Sequence, residues 1–285
     1  MNNIIIMLKG AALGIAFVVP GFSGGTMAVI LKIYDKLLNA ISLNVKKLKD
    51  NFVFLLVLVI GMMIGIFATS FGLSWLFEHY PAATKLTLVG IVIGSLPMIW
   101  KECTAQQKFR PVSLIPLILA FGIMIMMFLL ENSDKTNTVQ TELNAGLAVK
   151  LFFGGIISAV SMVIPGISGS LMLTIMGLYE TATTAVKELN IALIIPIGAG
   201  AVVGILTGAK IISILLNKFR QGTYAVIIGL IVGSLLTIFP RNFSFDKEGI
   251  IGVVLLVIGA AIPIVFEKIP SGNKSSDKIT SQKND

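Results

Sequence analysis

The sequence P-G-F-S-G-G-T at residues 20–26 and its near copy P-G-I-S-G-S at residues 165–170 determine the fold, because each interrupts a long apolar stretch. Pro removes a backbone donor and disfavours the helical conformation of the residue before it, and Gly weakens a helix further. In a bilayer, broken backbone is tolerated only where it is buried in protein or lines a cavity. The motifs therefore predict two broken helices whose breaks lie inside the protein.

The composition is that of a membrane protein. Hydrophobic residues make up 55% of the chain, charged residues 13%, and the mean hydropathy is +0.94, whereas a soluble domain carries about 25% charged residues. The net charge of +8 comes largely from short stretches between apolar runs, which is typical of positive-inside topology and attraction to anionic headgroups rather than nucleic-acid binding. The one cysteine, Cys103, lies in a polar stretch and excludes a disulfide framework. The first residues lack a basic region and a cleavage site, so we expect the N-terminus to be retained.

Six apolar runs are long enough to cross a bilayer, since a spanning helix needs about 20 residues. They cover roughly residues 51–77, 83–100, 112–130, 191–216, 224–239 and 249–266. Two further apolar segments, at about 4–34 and 147–179, contain the Pro-Gly breaks. The two arms of the first would measure about 24 Å and about 16 Å as helices, and neither crosses a hydrocarbon core of about 30 Å. We therefore predict two re-entrant helical hairpins.

The chain contains an internal repeat. Residues 10–35 align without gaps on residues 155–180 with nine identities in 26 positions, including the Pro, Gly and Ser of both motifs. Further along, G-x-x-x-G pairs recur in register, at 61–65 and 200–204 and again at 90–94 and 229–233, and they indicate close helix packing. The predicted fold is an all-α integral membrane protein with repeats at 1–132 and 147–268, each one hairpin plus three transmembrane helices. Residues 269–285 are predicted to form a flexible cytoplasmic tail.

The distribution of basic residues predicts the topology. Three crossings per repeat would invert the second repeat, and this arrangement places more than twice as many Lys and Arg residues inside as outside. If each broken segment instead spanned once, the two sides would carry almost equal numbers. Because the Lys and Arg bias sets orientation, we predict inverted repeats, both termini in the cytoplasm and the acidic 131–142 loop outside.

The two hairpin tips have the chemistry of an anion site. Ser23 is a natural N-cap for the second arm of the first hairpin, and the glycines after it leave backbone N–H groups uncovered at a helix start. Such a site binds a phosphate or carboxylate without placing a full cation in lipid. The alternative is that these small residues serve only close helix packing. The candidate substrate-binding residues are Pro20, Gly21, Ser23, Gly24, Gly25 and Thr26 in the first tip and Pro165, Gly166, Ser168, Gly169 and Ser170 in the second.

Each second arm ends in a Tyr followed by an acid, Tyr34-Asp35 and Tyr179-Glu180. The pair is typical of an interfacial belt, and the alternative is that Asp35 and Glu180 couple transport to a proton or cation. One His and one Cys exclude a metal cluster or a Cys/His catalytic pair, and no Walker loop or nucleophile elbow occurs. The sequence therefore predicts no enzyme, metal or cofactor, and it leaves the oligomeric state open.

Residues 10–35 and 162–180, with V-V-P-G-F-S-G-G-T and V-I-P-G-I-S-G-S at their centres, resemble the PopT-type polyprenyl-phosphate transporter family. The resemblance covers nearly the whole chain. It implies a multi-pass flippase of the bacterial cytoplasmic membrane that returns undecaprenyl phosphate, the lipid carrier of cell-wall building blocks, from the outer to the inner leaflet. Two positions depart from the family: Phe17 stands where an acid is usual, and Lys32 where Gly is usual.

Two other functions remain open from the residues. Membrane-embedded undecaprenyl-pyrophosphate phosphatases also combine inverted repeats with P-G-x-S tips. They carry Arg directly after the Ser and paired glutamates on one helix, whereas here Gly24 and Gly169 follow the serines and no E-x-x-x-E occurs. The other possibility is a secondary transporter of a small soluble anion, which would use the same tips.

Overall fold

The structure, a computed structural model, describes residues 2–18, 24–41, 45–131, 139–240, 243–244 and 247–268. Within these ranges the chain is helical and contains no strand. The predicted tail at 269–285 lies outside the described residues, as does most of the 131–142 loop. The α-helices, numbered in chain order, are α1 Asn3–Val18, α2 Gly24–Ile30, α3 Tyr34–Ala40, α4 Val45–Asp50, α5 Phe52–His79, α6 Pro81–Thr104, α7 Leu114–Glu131, α8 Ala145–Val163, α9 Gly169–Ile175, α10 Tyr179–Lys187, α11 Ile191–Lys218, α12 Arg220–Ile238 and α13 Lys247–Lys268, with a 3-10 turn at Pro111–Ser113.

Seven described helices, rather than six, are long and apolar enough to cross a membrane. Six of them, α5, α6, α7, α11, α12 and α13, correspond to the predicted runs. The seventh is α8, the first arm of the second hairpin, which has 19 residues where α1 has 16. At 1.5 Å per residue α8 measures about 28 Å, so its length is that of a short spanning helix. Length and composition alone do not distinguish a spanning α8 from the first arm of a re-entrant hairpin, so the re-entrant second hairpin stays a prediction.

The predicted break of the second segment occurs at its motif, and in the first segment the described helices end and begin on either side of residues 19–23. Helix α8 ends at Val163 and α9 begins at Gly169, while α1 ends at Val18 and α2 begins at Gly24. A second, unpredicted interruption follows each short arm, where Lys32 with φ +54° and Gly177 with φ +69° adopt the left-handed conformation. These two residues are equivalent in the aligned repeats, so each broken segment consists of a long, a short and a third short helix.

The G-x-x-x-G pairs are packing surfaces, as the sequence indicated. A Cβ atom at Gly61 of α5 would run into the Met7 carbonyl oxygen of α1, and one at Gly200 of α11 would run into the Phe152 carbonyl of α8. In the same way, Gly90 of α6 lies against the backbone of α13. Helix α12, which corresponds to α6 in the second repeat, packs its own pair, Gly229 and Gly233, against α7. Within each half, the long arm packs against the first spanning helix, α1 on α5 and α8 on α11. The last spanning helix of each half packs against the other half, α13 on α6 and α7 on α12.

Helices α6 and α12 form the centre of the molecule. They contact each other. Of the residues in their most apolar stretches, 56% in α6 and 67% in α12 are buried, against 22% in α5, α7, α11 and α13. The outer helices expose long rows of Ile, Leu, Val and Phe, which is expected where lipid is the solvent. The buried core includes most of α2 and Tyr34, Leu38 and Ala40 of α3, so the first hairpin packs into the same core as the central pair.

Candidate functional site

The second tip is a tight turn that presents two hydroxyl groups. Gly166 has φ +96°, a conformation that favours glycine, and it turns the chain between α8 and α9. Ser168 occupies the N-cap position of α9, but its side chain makes no capping hydrogen bond. Instead its Oγ lies 2.7 Å from the Oγ of Ser170, on the accessible side of the tip. Two adjacent accessible hydroxyls can both donate to one oxyanion.

The described part of the first tip contacts the second tip directly. The backbone N–H of Gly166 donates to the Oγ1 of Thr26 at 3.0 Å, and both residues are buried. A Cβ atom at Gly25 would lie 3.0 Å from the Pro165 nitrogen, so the two backbones approach closely. The structure thus brings Gly24, Gly25 and Thr26 together with residues 165–170, while Pro20, Gly21 and Ser23 lie outside the described residues.

A large apolar side chain covers each short-arm start. The ring of Phe17 lies against Gly24, where an added Cβ atom would come within 2.6 Å of it, and Met162 lies equally close to Gly169. Phe17 and Met162 are equivalent in the aligned repeats. The departure at Phe17 therefore has a packing role here, matched by a second apolar residue in the other repeat. Gly169 is also held by Ser158, whose hydroxyl donates to the Gly169 carbonyl at 2.9 Å.

The exit of the first hairpin is fixed by two long-range hydrogen bonds. The hydroxyl of Tyr34, which is buried, donates to the Val163 carbonyl at the end of α8 at 2.9 Å. The ammonium of Lys9 donates to the Leu31 carbonyl at 2.8 Å, where a cation also interacts favourably with the C-terminal dipole of a helix. These contacts connect the start of α3 to the end of α8, and the residue after α2 to α1.

Three charged side chains form a cluster at the same exit. The Nη2 of Arg220, at the start of α12, lies 2.6 Å from the Oε2 of Glu102 in the last turn of α6, and its Nη1 lies 3.5 Å from the Oδ2 of Asp35. The guanidinium carbon also lies 5.2 Å from the ring centre of Tyr224. Sequence reasoning counted Arg220 only as an inside-facing basic residue. The one signal was an Arg at the start of an apolar helix, which does not indicate its partners.

The equivalent exit of the second hairpin is different. Glu180 is exposed and Tyr179 is only partly buried. In the alignment that superposes the 90–94 and 229–233 glycine pairs, the position of Arg220 is occupied by Pro81. The two predicted coupling acids therefore lie in unlike surroundings, Asp35 beside a cation and Glu180 in an accessible position.

A correction concerns Cys103, which the sequence placed in a polar stretch. It lies in the last turn of α6, is 2% exposed, and its thiol is 3.6 Å from the Gln221 carbonyl of α12. The side chain of Gln221 in turn bonds the chain before α7, through the Ser113 hydroxyl and the Arg110 N–H. The Cys103 region is thus a closed junction between α6 and α12.

The fold and these two meeting tips define a multi-pass helical membrane protein built on paired broken helices. A family profile described as VCA0040-like, undecaprenyl phosphate translocase-like, matches residues 13–248. A Staphylococcus aureus protein named polyprenyl-phosphate transporter is 31% identical over 277 residues, covering 95% of this chain and 98% of that protein. A Vibrio cholerae protein of the same name is 31% identical over 255 residues, covering 84% of this chain and 79% of that protein. No solved structure matches the chain.

The chain belongs to the undecaprenyl phosphate translocase-like family. The resemblance that the paired P-G-x-S-G motifs indicated is thereby confirmed.

Proposed function

We propose that this protein is a transporter that carries undecaprenyl phosphate from the outer to the inner leaflet of the bacterial cytoplasmic membrane, where the lipid is reused in cell-wall synthesis. The contact between the two hairpin tips, at the Gly166–Thr26 hydrogen bond, is the observation that carries the proposal. Family membership supports the lipid class, because both relatives are named polyprenyl-phosphate transporters. A lipid phosphate needs protein contacts only for one anionic headgroup, since its tails can remain in the bilayer.

The headgroup binds between the two tips in this proposal. Ser168 and Ser170 make the first contact, because their hydroxyls are accessible while Thr26 is already bonded to Gly166. The remaining contacts come from the backbone N–H groups of the two short-arm starts. Neutral donors suit this task, because they stabilise a phosphate without the cost of a permanent cation in lipid.

Inverted repeats explain how one site serves both leaflets. When two repeats have opposite orientations, rocking of one against the other exposes the shared site first to one side and then to the other. Both termini are then cytoplasmic, and Asp35 and Glu180 lie at the inner and outer exits. The matched packing of equivalent helices supports this arrangement.

Transport of a fluorescent polyprenyl phosphate in proteoliposomes tests the function, with a labelled soluble phosphate as a parallel substrate. We expect the lipid to cross intact and the soluble anion to be ignored. The Ser168→Ala, Ser170→Ala double variant should slow transport at least tenfold, because each lost hydrogen bond to a charged group costs about 1.5–3 kcal/mol. Thr207→Ala is the matched control, since the Thr207 hydroxyl donates to carbonyls of its own helix. Transport of the soluble anion, or release of inorganic phosphate from a pyrophosphate lipid, would refute the proposal.

Thiol labelling in intact cells tests the topology. In a Cys103→Ala background, an impermeant maleimide should label Ser133→Cys from outside and should label Ser275→Cys only after the cells are opened. Labelling of Ser275→Cys in intact cells, with none at Ser133→Cys, would contradict the inverted arrangement.

A further inference from the structure

The charged cluster of Asp35, Glu102 and Arg220 connects three separate parts of the fold. Asp35 begins α3 at the exit of the first hairpin, Glu102 lies near the end of α6, and Arg220 begins α12. The two acids belong to the first repeat and the arginine to the second. Arg220 is the only member that bonds both of the others, with Nη2 on Glu102 and Nη1 on Asp35. Its planar fork of donors suits a bridge between two carboxylates.

The cluster lies at the outer end of the route that leads from Asp35 along the first hairpin to the tips, and the described part of this route is closed. Beside it in the chain, Tyr34 is 4% exposed and its hydroxyl bonds the Val163 carbonyl of the second hairpin. Further in, Thr26 bonds Gly166, and nearly all of α2 is buried. From the Asp35 exit inward to Gly24, the described residues of the first hairpin are therefore packed shut.

The corresponding path along the second hairpin is more open. Ser170 and Glu180 are exposed, and Ser168 is partly exposed. Pro81, at the position equivalent to Arg220, has no side-chain donor. The Asp35 exit, which carries Arg220, is therefore closed, whereas the equivalent Glu180 exit is more open.

Removing different members of the cluster has different electrostatic consequences. Without Arg220, the carboxylates of Asp35 and Glu102 lose the cation that both of them bond, and their like charges repel. Without the charge of Asp35, the closer Arg220–Glu102 pair remains. Loss of one partner from a charge cluster costs more than loss of the whole pair, because it leaves the other charge uncompensated. Arg220 is therefore the member on which closure depends.

We propose that Arg220 is the latch of the Asp35 exit: by bonding both Glu102 and Asp35 it holds the start of α12 to the end of α6 and to the start of α3, and its release separates these ends and opens the tips to that side of the membrane. The inference deepens the proposed function, because on the inverted topology this is the inner exit and the structure is the outward-facing state. A lipid phosphate bound at the tips would then leave toward the inner leaflet only after the latch separates.

The chain contains its own reporter of this opening. Cys103 is its only cysteine, directly follows Glu102 and is buried against the Gln221 carbonyl next to Arg220. Separation of α6 from α12 at this end exposes the thiol. Maleimide labelling of the native cysteine therefore measures opening without any engineered site, and nanodiscs give the reagent access to both faces.

The test compares labelling rates of folded protein in nanodiscs without added lipid phosphate. We expect Arg220→Gln to label Cys103 at least fivefold faster than the wild type. Adding Asp35→Asn to Arg220→Gln should return the rate to near that of the wild type, because the facing carboxylates are then no longer both charged. Lys218→Gln is the matched control, since it removes an exposed positive charge two residues away, and its rate should be unchanged.

Two outcomes would overturn the latch: a wild-type rate in Arg220→Gln, or a double variant that labels as fast as Arg220→Gln. If Arg220→Gln does not fold, as judged by circular dichroism and gel filtration, Arg220→Lys decides the question. A lysine keeps the charge but lacks the fork, so we expect an intermediate rate, and a wild-type rate would refute the latch. Since no lipid phosphate is added, these results are independent of the transport assay. Latch behaviour without lipid transport would refute the proposed function alone.

Discussion

Replacing Lys32 by Gly should stabilise the protein, although it removes a charged side chain. Lys32 has φ +54°, and the left-handed conformation costs a non-glycine residue about 1–2 kcal/mol. Glycine avoids that cost but loses roughly 0.5–1 kcal/mol more conformational entropy on folding. The net gain is about 0.5–1 kcal/mol. Lys32 is exposed, so little packing is lost with the side chain.

The reverse exchange can be made at Gly177, the position equivalent to Lys32 in the second repeat. Gly177 has φ +69°, so Gly177→Ala should destabilise by about 0.5–1 kcal/mol on the same reasoning. Gly222→Ala is the control, because Gly222 is helical and an added Cβ atom would meet no described residue within 4 Å. That substitution should stabilise by up to about 1 kcal/mol through helix propensity alone.

Thermal unfolding in detergent, followed by a thiol-reactive dye on buried Cys103, measures all three variants. For a chain of this size 1 kcal/mol corresponds to about 2 °C, so Lys32→Gly should raise the midpoint by about 1–2 °C and Gly177→Ala should lower it as much. A lower midpoint in Lys32→Gly, with Gly222→Ala behaving as expected, would refute the reasoning. It would mean that the Lys32 side chain contributes more than its backbone costs.

Three further predictions concern the tips and the closed exit. Thr26→Val leaves the buried Gly166 N–H without its acceptor and should destabilise by about 1–3 kcal/mol; Thr26→Ser, which keeps the acceptor, should unfold at nearly the wild-type temperature. In Gly24→Val the added side chain displaces the Phe17 ring and covers backbone N–H groups at the start of α2. The variant should fold and yet bind lipid phosphate about tenfold more weakly, which corresponds to the loss of about one charge-assisted hydrogen bond; unchanged affinity in a binding titration would contradict the site. Burial raises the pKa of the Asp35 carboxyl above its ordinary value, against the opposing effect of Arg220, so ionisation of Asp35 opposes this fold. Asp35→Asn should therefore unfold at a higher temperature than the wild type at neutral pH, and the difference should shrink as pH falls through the raised pKa; a difference that grows on acidification would contradict this.

The sequence predicted the features that depend on local chemistry. Pro165 and Gly166 interrupt the chain wherever they stand, and the structure breaks there. The glycine pairs predicted close packing, because a missing side chain permits backbone approach whatever the partner. The same local reasoning missed the interruption at Lys32, because nothing in a lysine announces positive φ. Two signals pointed to it, the glycine that the resembled family usually has at this position and the alignment of Lys32 with Gly177.

The charged cluster lay beyond sequence reasoning for a different reason. Arg220, Glu102 and Asp35 are separated by 118 and 67 residues or more, and their meeting depends on which helix ends adjoin in the folded protein. Each residue alone has an ordinary explanation as an interfacial or loop charge. The sequence analysis compared only the arms of the first hairpin with the bilayer, and α8 is three residues longer than α1.

The differences between the repeats are as informative as their identities. Two identical repeats would give two end states of equal energy, because opening one exit and closing the other would exchange equivalent contacts. Here the closed exit has contacts that the other cannot reproduce. Leu171 stands at the position equivalent to Thr26 and has no side-chain acceptor, and Pro81 stands where the other repeat has Arg220. In the proposed mechanism these differences between the repeats favour closure at the Asp35 exit. The transporter without bound lipid then populates mainly the state whose tips are accessible from the outer leaflet. The free energy of headgroup binding must then offset the loss of the Thr26 and Arg220 contacts before the lipid is released inside.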